Sequence, residues 1–517
     1  MKGERGLFFS GVFMLSARSI RLLPFAAASL LAMGALLACG ESSTSSDPLN
    51  PGLSSANGYG DPGFSSAGGD PYNPGDPGTG GSSQGGVPGT SSAVGTSSAA
   101  GGQQGVSYEQ ADVPPKADWV APTCVATGSE IPANDPCVQY FGRWDLTTAP
   151  DAPTAAWSAT YLKMKFTGTG VSIKLNTSSS IAFYSSIDGG TWTRVDATCE
   201  PETNIESCRN RNFRLATGLA SGTHELAFYR ASEGGYGMHD VLGYVVENGT
   251  IAVPNAPSAR TIECMGNSIT AGLGADGVGS EYAHDNTLTA WCVRTALKLG
   301  ADWSVVAHSG QGMYKNLDQF GGYAGQTEYG HIITMYDEYR WTHFPAWSIV
   351  PPHDWSYNAA SARVQWHFRD VPDVAIFAIG TNDFINISQN STVGMMTDAA
   401  ARQQAANEYL AAFKAKYDDF LNFVRSKYPK NRTTVFVHGT ILNDDQVMHS
   451  YSLGNNTLRQ LVAERAAAGD DRIFFIDPAG WLTQASDFSG DWTHPTAAGH
   501  QIIANNVSAI VREKMGW

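Results

Sequence analysis

Four short stretches of this 517-residue chain carry side chains that can act together on an acyl group. Ser268, in Gly266-Asn267-Ser268-Ile269-Thr270, directly follows the apolar run 261–265, where a tight strand-to-helix turn would expose its hydroxyl as a nucleophile. The same serine would equally suit a helix N-cap. Gly310, in His308-Ser309-Gly310-Gln311-Gly312, follows the run 303–307, and a glycine there lets a backbone N–H approach a ligand. Asn382, in Gly380-Thr381-Asn382-Asp383, follows the run 374–379; its amide can donate to an oxyanion or simply satisfy a turn. Asp491-Trp492-Thr493-His494 sets a carboxylate three residues ahead of an imidazole, which suits a general base and the group that orients it. Singly, each stretch is ordinary turn chemistry. Their weight comes from three of them falling at the ends of apolar runs.

Those runs belong to a module of alternating strands and helices, residues 256–517. Strands are expected at 261–265, 303–307, 374–379, 434–438 and 473–476, and helices at 289–299, 397–428, 458–468 and 497–515. Leu410, Phe413, Tyr417, Phe420 and Val424 recur at three- and four-residue steps, and Thr496 is the expected N-cap of the last helix. Alternating strands with apolar cores predict a doubly wound parallel α/β sheet, with chemistry at the carboxyl ends of the strands. Residues 113–255 read differently. Leu162, Met164 and Phe166, then Val171, Ile173 and Leu175, alternate with other residues across Gly168-Thr169-Gly170, and Leu226 and Phe228 do so later. Period two with short turns predicts a β-sandwich.

Together the four blocks resemble the SGNH (GDSL-type) hydrolases, with one departure: the usual Gly-Asp-Ser reads Gly266-Asn267-Ser268. The resemblance implies a flavodoxin-like sheet and a Ser268, His494 and Asp491 triad. It also implies an oxyanion hole made by the N–H groups of Ser268 and Gly310 and the Asn382 amide. A sandwich running into this module, with Tyr314-Lys315-Asn316 after the second block and Phe384 after the third, is similar to carbohydrate esterase family 2, whose N-terminal domain is jelly-roll-like. That likeness implies removal of acetyl groups from acetylated plant polysaccharide such as xylan or mannan. Trp492 is then either a platform for a sugar ring or a packing residue. Tyr314, Tyr323, Trp341, Trp347, Trp355 and Trp366, between the second and third blocks, suit sugar rings better than an acyl chain. The same scaffold also serves lipases, thioesterases and acyltransferases, and a degenerate site would leave a glycan-binding protein.

Upstream, Lys2, Arg5, Arg18 and Arg21 precede an apolar run, 22–38, somewhat short for a membrane span. Leu36-Leu37-Ala38-Cys39 resembles a bacterial lipobox, so residues 1–38 are expected to be a lipoprotein signal peptide and Cys39 the lipidated residue. An outer-membrane or cell-surface address is expected, free secretion being the alternative. Residues 39–112 are rich in Gly, Ser and Pro with no Lys or Arg, and predict a flexible tether spanning about 40–50 Å. In an exported chain, Cys124 with Cys137 and Cys199 with Cys208 make short-loop disulfides, while Cys264 and Cys292 are either a bridge or two buried thiols.

A net charge of -15, from 33 Lys+Arg against 48 Asp+Glu, excludes a general nucleic-acid binder. Gly272-Leu273-Gly274-Ala275-Asp276-Gly277 has the outline of a dinucleotide fingerprint, but it lies past the nucleophile turn and the residue twenty further on is Leu297, not an acid. His-Glu-x-x-His and Cys-x-x-Cys spacings do not occur. No cofactor or metal is therefore expected, contact with a membrane is expected only through the lipid, and the chain is expected to be a monomer.

Overall fold

The computed structural model describes residues 118–200, 205–277, 284–317, 327–328, 331–332, 334–342, 364–390, 393–394, 396–443 and 448–517. The expected signal peptide, Cys39 and tether, together with Tyr323, Trp347 and Trp355, lie outside the described residues.

The period-two stretches form two antiparallel sheets packed face to face. One runs in the order Trp144–Asp145, Thr154–Ala155, His239–Glu247, Gly170–Thr177 and Arg211–Ala216, with Glu130–Pro132 also on His239–Glu247. The other runs Thr250–Ala252, Tyr161–Gly168, Gly222–Arg230, Ile181–Ile187 and Thr193–Ala197, with Val138–Phe141 also on Tyr161–Gly168. The Gly168-Thr169-Gly170 turn therefore carries the chain from one sheet to the other. Leu162, Met164 and Phe166 of the first strand and Val171, Ile173 and Leu175 of the second join one buried core, as alternation in a sandwich requires. Disulfides join Cys124 to Cys137 and Cys199 to Cys208.

The C-terminal module is a five-stranded parallel sheet in the order Asp302–Ala307, Thr261–Gly266, Val374–Ala378, Thr434–His438 and Ile473–Ile476. In chain order this is 2-1-3-4-5, so the order reverses at the strand that precedes Ser268, and ligands in such sheets bind at that switch point. Gly266 pairs with both Ala307 and Ala378, which brings the first three chemical blocks out of the sheet at one level. Helices Trp291–Leu299, Ala399–Lys427 and Ala497–Met515 form close to the expected ranges, and Thr496 caps the last one, its hydroxyl accepting from the Gly499 N–H. Helix Ser450–Ala467 starts well before the expected 458. A Cβ at Gly454 would lie 2.4 Å from the Phe384 ring, so the glycine lets this helix pack closely. Cys264 and Cys292 are joined, tying the nucleophile strand to the next helix.

The two modules share one hydrophobic core that includes Trp157, Tyr161 and Tyr229 of the sandwich and Trp303, Ile262 and Met265 of the parallel sheet. Polar contacts cross the same boundary. Arg143, fully buried, pairs with Glu263 at 3.3 Å and donates to the carbonyls of Tyr339 and Trp341. Tyr339, Tyr428 and Ser304 donate to the same Glu263 carboxylate. Tyr161 donates to Asp302 at 2.7 Å, and the Trp303 indole donates to the Ala159 carbonyl. A buried ion pair survives only when its remaining polar positions are satisfied, and here donors from both modules surround one carboxylate. The sandwich is thus joined to the parallel-sheet module by a shared apolar core and by buried polar contacts.

Candidate active site

Strand Thr261–Gly266 ends at a glycine for a steric reason. A Cβ on Gly266 would stand 2.0 Å from Thr270 Oγ1 and 2.9 Å from the Ala378 carbonyl, so a larger residue would push the turn off the sheet. The chain then enters the short helix Ser268–Ala271, whose N-cap is Asn267: its side chain accepts from the Ile269 N–H at 3.1 Å. Capping therefore falls to Asn267, and the Ser268 hydroxyl is left for other work. It lies 2.8 Å from His494 Nε2. His494 Nδ1 faces Asp491 Oδ2 at 2.5 Å, while Asp491 Oδ1 accepts the N–H groups of Thr493 and His494, both at 2.9 Å. One carboxylate thus orients the ring and shapes the turn that carries it.

The electrostatics fit this arrangement. Partial burial is the largest single influence on Asp491 and opposes ionisation, but the hydrogen bonds and charge from His494 and the two backbone N–H groups together outweigh it and hold the carboxyl at about 2. It is ionised at any pH where a histidine can act as base. Other nearby histidines are committed elsewhere. Burial drives His438 down to about 4, and its Nδ1 faces the Gly439 carbonyl at 2.6 Å; burial likewise drives His500 to about 3. His308 sits against Glu338 at 3.1 Å, and that carboxylate overcomes burial to raise its proton affinity. A small cavity lined by Asn267, Thr270, Trp291, His438 and Thr440 touches none of Ser268, His494 and Asp491.

Gly310 adopts φ +76°, a left-handed conformation that favours glycine, and its carbonyl accepts from the Leu317 N–H at 2.9 Å. Asn382 directs one amide hydrogen to the Gln311 carbonyl at 2.7 Å, which locks the side chain and leaves the second hydrogen for a ligand. Asp383, beside it, was not singled out in the sequence. Fully buried, it accepts the N–H groups of Met313, Tyr314 and Lys315 at 2.8–2.9 Å and so clamps the loop after Gly310; burial, partly offset by those bonds, raises its carboxyl to about 7. Its adjacency to Asn382 was the only signal available. Trp492, between Asp491 and His494, is 63% exposed with φ +58°. Trp366 does not serve as a platform: it is buried, with the Arg143 guanidinium 5.2 Å from its ring centre.

Residues 140–256 match the family model described as carbohydrate esterase 2 N-terminal, and residues 264–502 match the one described as GDSL-like lipase/acylhydrolase family. The two modules thus match, in order, the carbohydrate esterase 2 N-terminal model and the GDSL-like (SGNH) hydrolase model, and the chain is similar to carbohydrate esterases of family 2. Among curated proteins it is similar to the cellulase/esterase CelE of Acetivibrio thermocellus, 25% identical over 398 residues, which cover 76% of this chain and 41% of that protein. The chain thus spans well under half of that relative's length. It is also similar to an acetylxylan esterase / glucomannan deacetylase of Cellvibrio japonicus, 24% identical over 75% of this chain and 91% of the relative. A family two carbohydrate esterase from Clostridium thermocellum, solved with cellohexaose, shares the fold at TM-score 0.58 and 23% identity, covering 74% of this chain and 99% of that one. An acetyl xylan esterase from Butyrivibrio proteoclasticus does so at TM-score 0.58 and 18% identity, covering 74% and 96%. Asn267, which stands where the GDSL-type motif has Asp, performs the helix cap through its amide oxygen.

Proposed function

We propose that the chain is a carbohydrate acetylesterase that removes O-acetyl groups from hemicellulose, xylan or mannan, through a Ser268, His494 and Asp491 triad. The observation that carries this reading is the 2.8 Å approach of His494 Nε2 to Ser268 Oγ, with Nδ1 held by Asp491. His494 takes the Ser268 proton as Oγ attacks the acetyl carbonyl, and returns it to the departing sugar oxygen. A water then attacks the acetyl-enzyme, giving its proton to the same imidazole, and acetate leaves as Ser268 is regenerated. The N–H groups of Ser268 and Gly310 and the free amide hydrogen of Asn382 receive the oxyanion, each donor contributing on the order of 3 kcal/mol. Two considerations support a sugar-borne acetyl group. The Cellvibrio japonicus relative is named for acetylxylan and glucomannan. Trp492 holds a bulky indole outward in a left-handed conformation, a strained arrangement of the kind that clusters at ligand sites, and offers an apolar face to a pyranose ring.

Acetate release from acetylated xylan and glucomannan by the full chain, and its loss in Ser268→Ala, is the test. Equal release by the variant, or a preference for long acyl chains, would overturn the reading. We also propose that Cys39 carries a lipid anchor, on the strength of Leu36-Leu37-Ala38-Cys39. Detergent-phase partitioning that persists in Cys39→Ala would refute it.

A further inference from the structure

The sandwich reaches the second block of the candidate active site through the Glu233 side chain. Glu233 follows strand Gly222–Arg230, in the loop before the turn Gly234–Tyr236. Its Oε2 accepts both donors of Ser309, the backbone N–H at 3.1 Å and the hydroxyl at 2.6 Å. Ser309 immediately precedes Gly310. The Gly310 N–H is therefore set between two anchors: the Leu317 N–H holds the Gly310 carbonyl from the downstream side, and Glu233 holds Ser309 from the upstream side. Only the first is local; the second comes from the other module, 76 residues away in sequence.

The loop bearing Glu233 is itself fixed. The Ala231 carbonyl accepts from the Thr287 N–H and hydroxyl, at 3.2 and 2.8 Å, and the Glu233 N–H donates to Asp285 at 3.3 Å. The Glu233 carbonyl accepts from Arg230, a fully buried guanidinium, at 2.8 Å. Glu233 is only 7% exposed, and Gly235 leaves little room beside it, since a Cβ there would come within 3.3 Å of Glu233 Oε1. A buried carboxylate costs several kcal/mol unless strongly hydrogen-bonded; the two bonds that Oε2 of this one accepts both come from Ser309, next to Gly310. Charge-assisted bonds of this kind are short and strongly directional.

We propose that Glu233 is a positioning residue for the Gly310 N–H, so that the sandwich completes the oxyanion hole of the hydrolase. This rests on the reading of Ser268 as the nucleophile and Gly310 as an oxyanion donor. It assigns the N-terminal module a part in turnover separate from any binding of glycan.

The test uses the full chain with Glu233→Ala, Glu233→Gln and Ser309→Ala. It measures kcat and KM on 4-nitrophenyl acetate and deuterium uptake by the amides of residues 309–312. Misplacement of a donor on the scale of 1 Å costs roughly 10²-fold, so Glu233→Ala should lose about that much in kcat with KM little changed and amide exchange faster. Glu233→Gln, whose amide oxygen still accepts from Ser309, should recover most of the loss. Ser309→Ala, which forfeits one of the two bonds, should fall between, and it decides the matter if Glu233→Ala does not fold. Wild-type kcat and exchange in Glu233→Ala, or equal impairment of the alanine and glutamine variants, would overturn the proposal. If wild-type turnover proves independent of Ser268, the functional reading fails by itself, and the exchange of residues 309–312 still shows whether Glu233 holds the loop.

Discussion

Replacing Asp491 by Asn asks whether the carboxylate is part of the machinery or only of the turn. Asn can keep the Oδ1 contacts that Asp491 makes with the N–H groups of Thr493 and His494, so the loop should stay in place. What changes is the partner of His494 Nδ1. An amide NH₂ facing that nitrogen favours the tautomer protonated on Nε2, which cannot accept the Ser268 proton, and the charge that stabilises the imidazolium is gone. In a serine protease whose aspartate is buried, the equivalent change lowers kcat by about 10⁴. Here the Asp491 side chain is 35% exposed, so water screens part of its effect, and a loss of about 10³-fold is expected, close to 4 kcal/mol in the barrier. The assay is kcat and KM for 4-nitrophenyl acetate and for acetylated xylan between pH 5 and 9, with Ser268→Ala as the floor. The loss should fall on kcat for both substrates. Turnover of Asp491→Asn within a few-fold of wild type would refute the triad and leave a Ser268 and His494 dyad, with Asp491 confined to shaping the turn.

Trp492→Ala should raise KM for acetylated polysaccharide while leaving 4-nitrophenyl acetate nearly unaffected; equal effects on both would make Trp492 a structural residue. Arg143→Ala should destabilise the folded chain by about 3–5 kcal/mol in chemical denaturation, because it strands the buried Glu263 carboxylate; a change under 1 kcal/mol would mean that the three hydroxyl donors alone satisfy that group. Asp383→Asn should change the pH dependence of stability. Burial raises the Asp383 pKa from 3.8 to about 7, so its neutral form is favoured by folding. Its contribution is present in full below the unfolded value near 3.8 and is lost as pH rises towards 7. The wild type should therefore lose about 3 kcal/mol of stability relative to the variant from pH 4.5 to 7.5, and a pH-independent difference, or a relative gain by the wild type, would refute it.

The sequence revealed what is local and missed what is not. Ser268, Gly310 and Asn382 each sit within a few residues of an apolar run, so periodicity places them at strand ends, while the Asp491-to-His494 step lies just ahead of the last helix. The parallel register of Gly266 with Ala307 and Ala378 then brings three of them to one level. Helix Ser450–Ala467 begins ahead of the expected 458 and includes Gly454, a poor helix former in isolation, where the glycine packs closely on Phe384. Trp366 looked like a sugar platform because aromatic residues carry no mark of burial, and only the Arg143 guanidinium beside it shows where it goes. The choice between bridge and thiols at Cys264 and Cys292 depended on how helix Trp291–Leu299 packs against the strand Thr261–Gly266, which no spacing rule supplies.

The same distinction bears on why the sandwich stays with the hydrolase. Interfaces between independently moving domains are modest in area and comparatively polar. Here the seam holds Trp157, Tyr161, Tyr229 and Trp303 in one core, and Arg143 is sealed against Glu263 in the very strand that delivers Ser268. Glu233 crosses the same seam to Ser309. Contacts thus run from the sandwich to Glu263 on the nucleophile strand, to Asp302 on the strand Asp302–Ala307, and to Ser309 just beyond that strand's end. Loosening the seam should therefore disturb the positions of Ser268 and Gly310 before it exposes any new surface. Removal of the sandwich is expected to abolish turnover of even the smallest acetyl ester, where a glycan-binding appendage would affect polysaccharide alone.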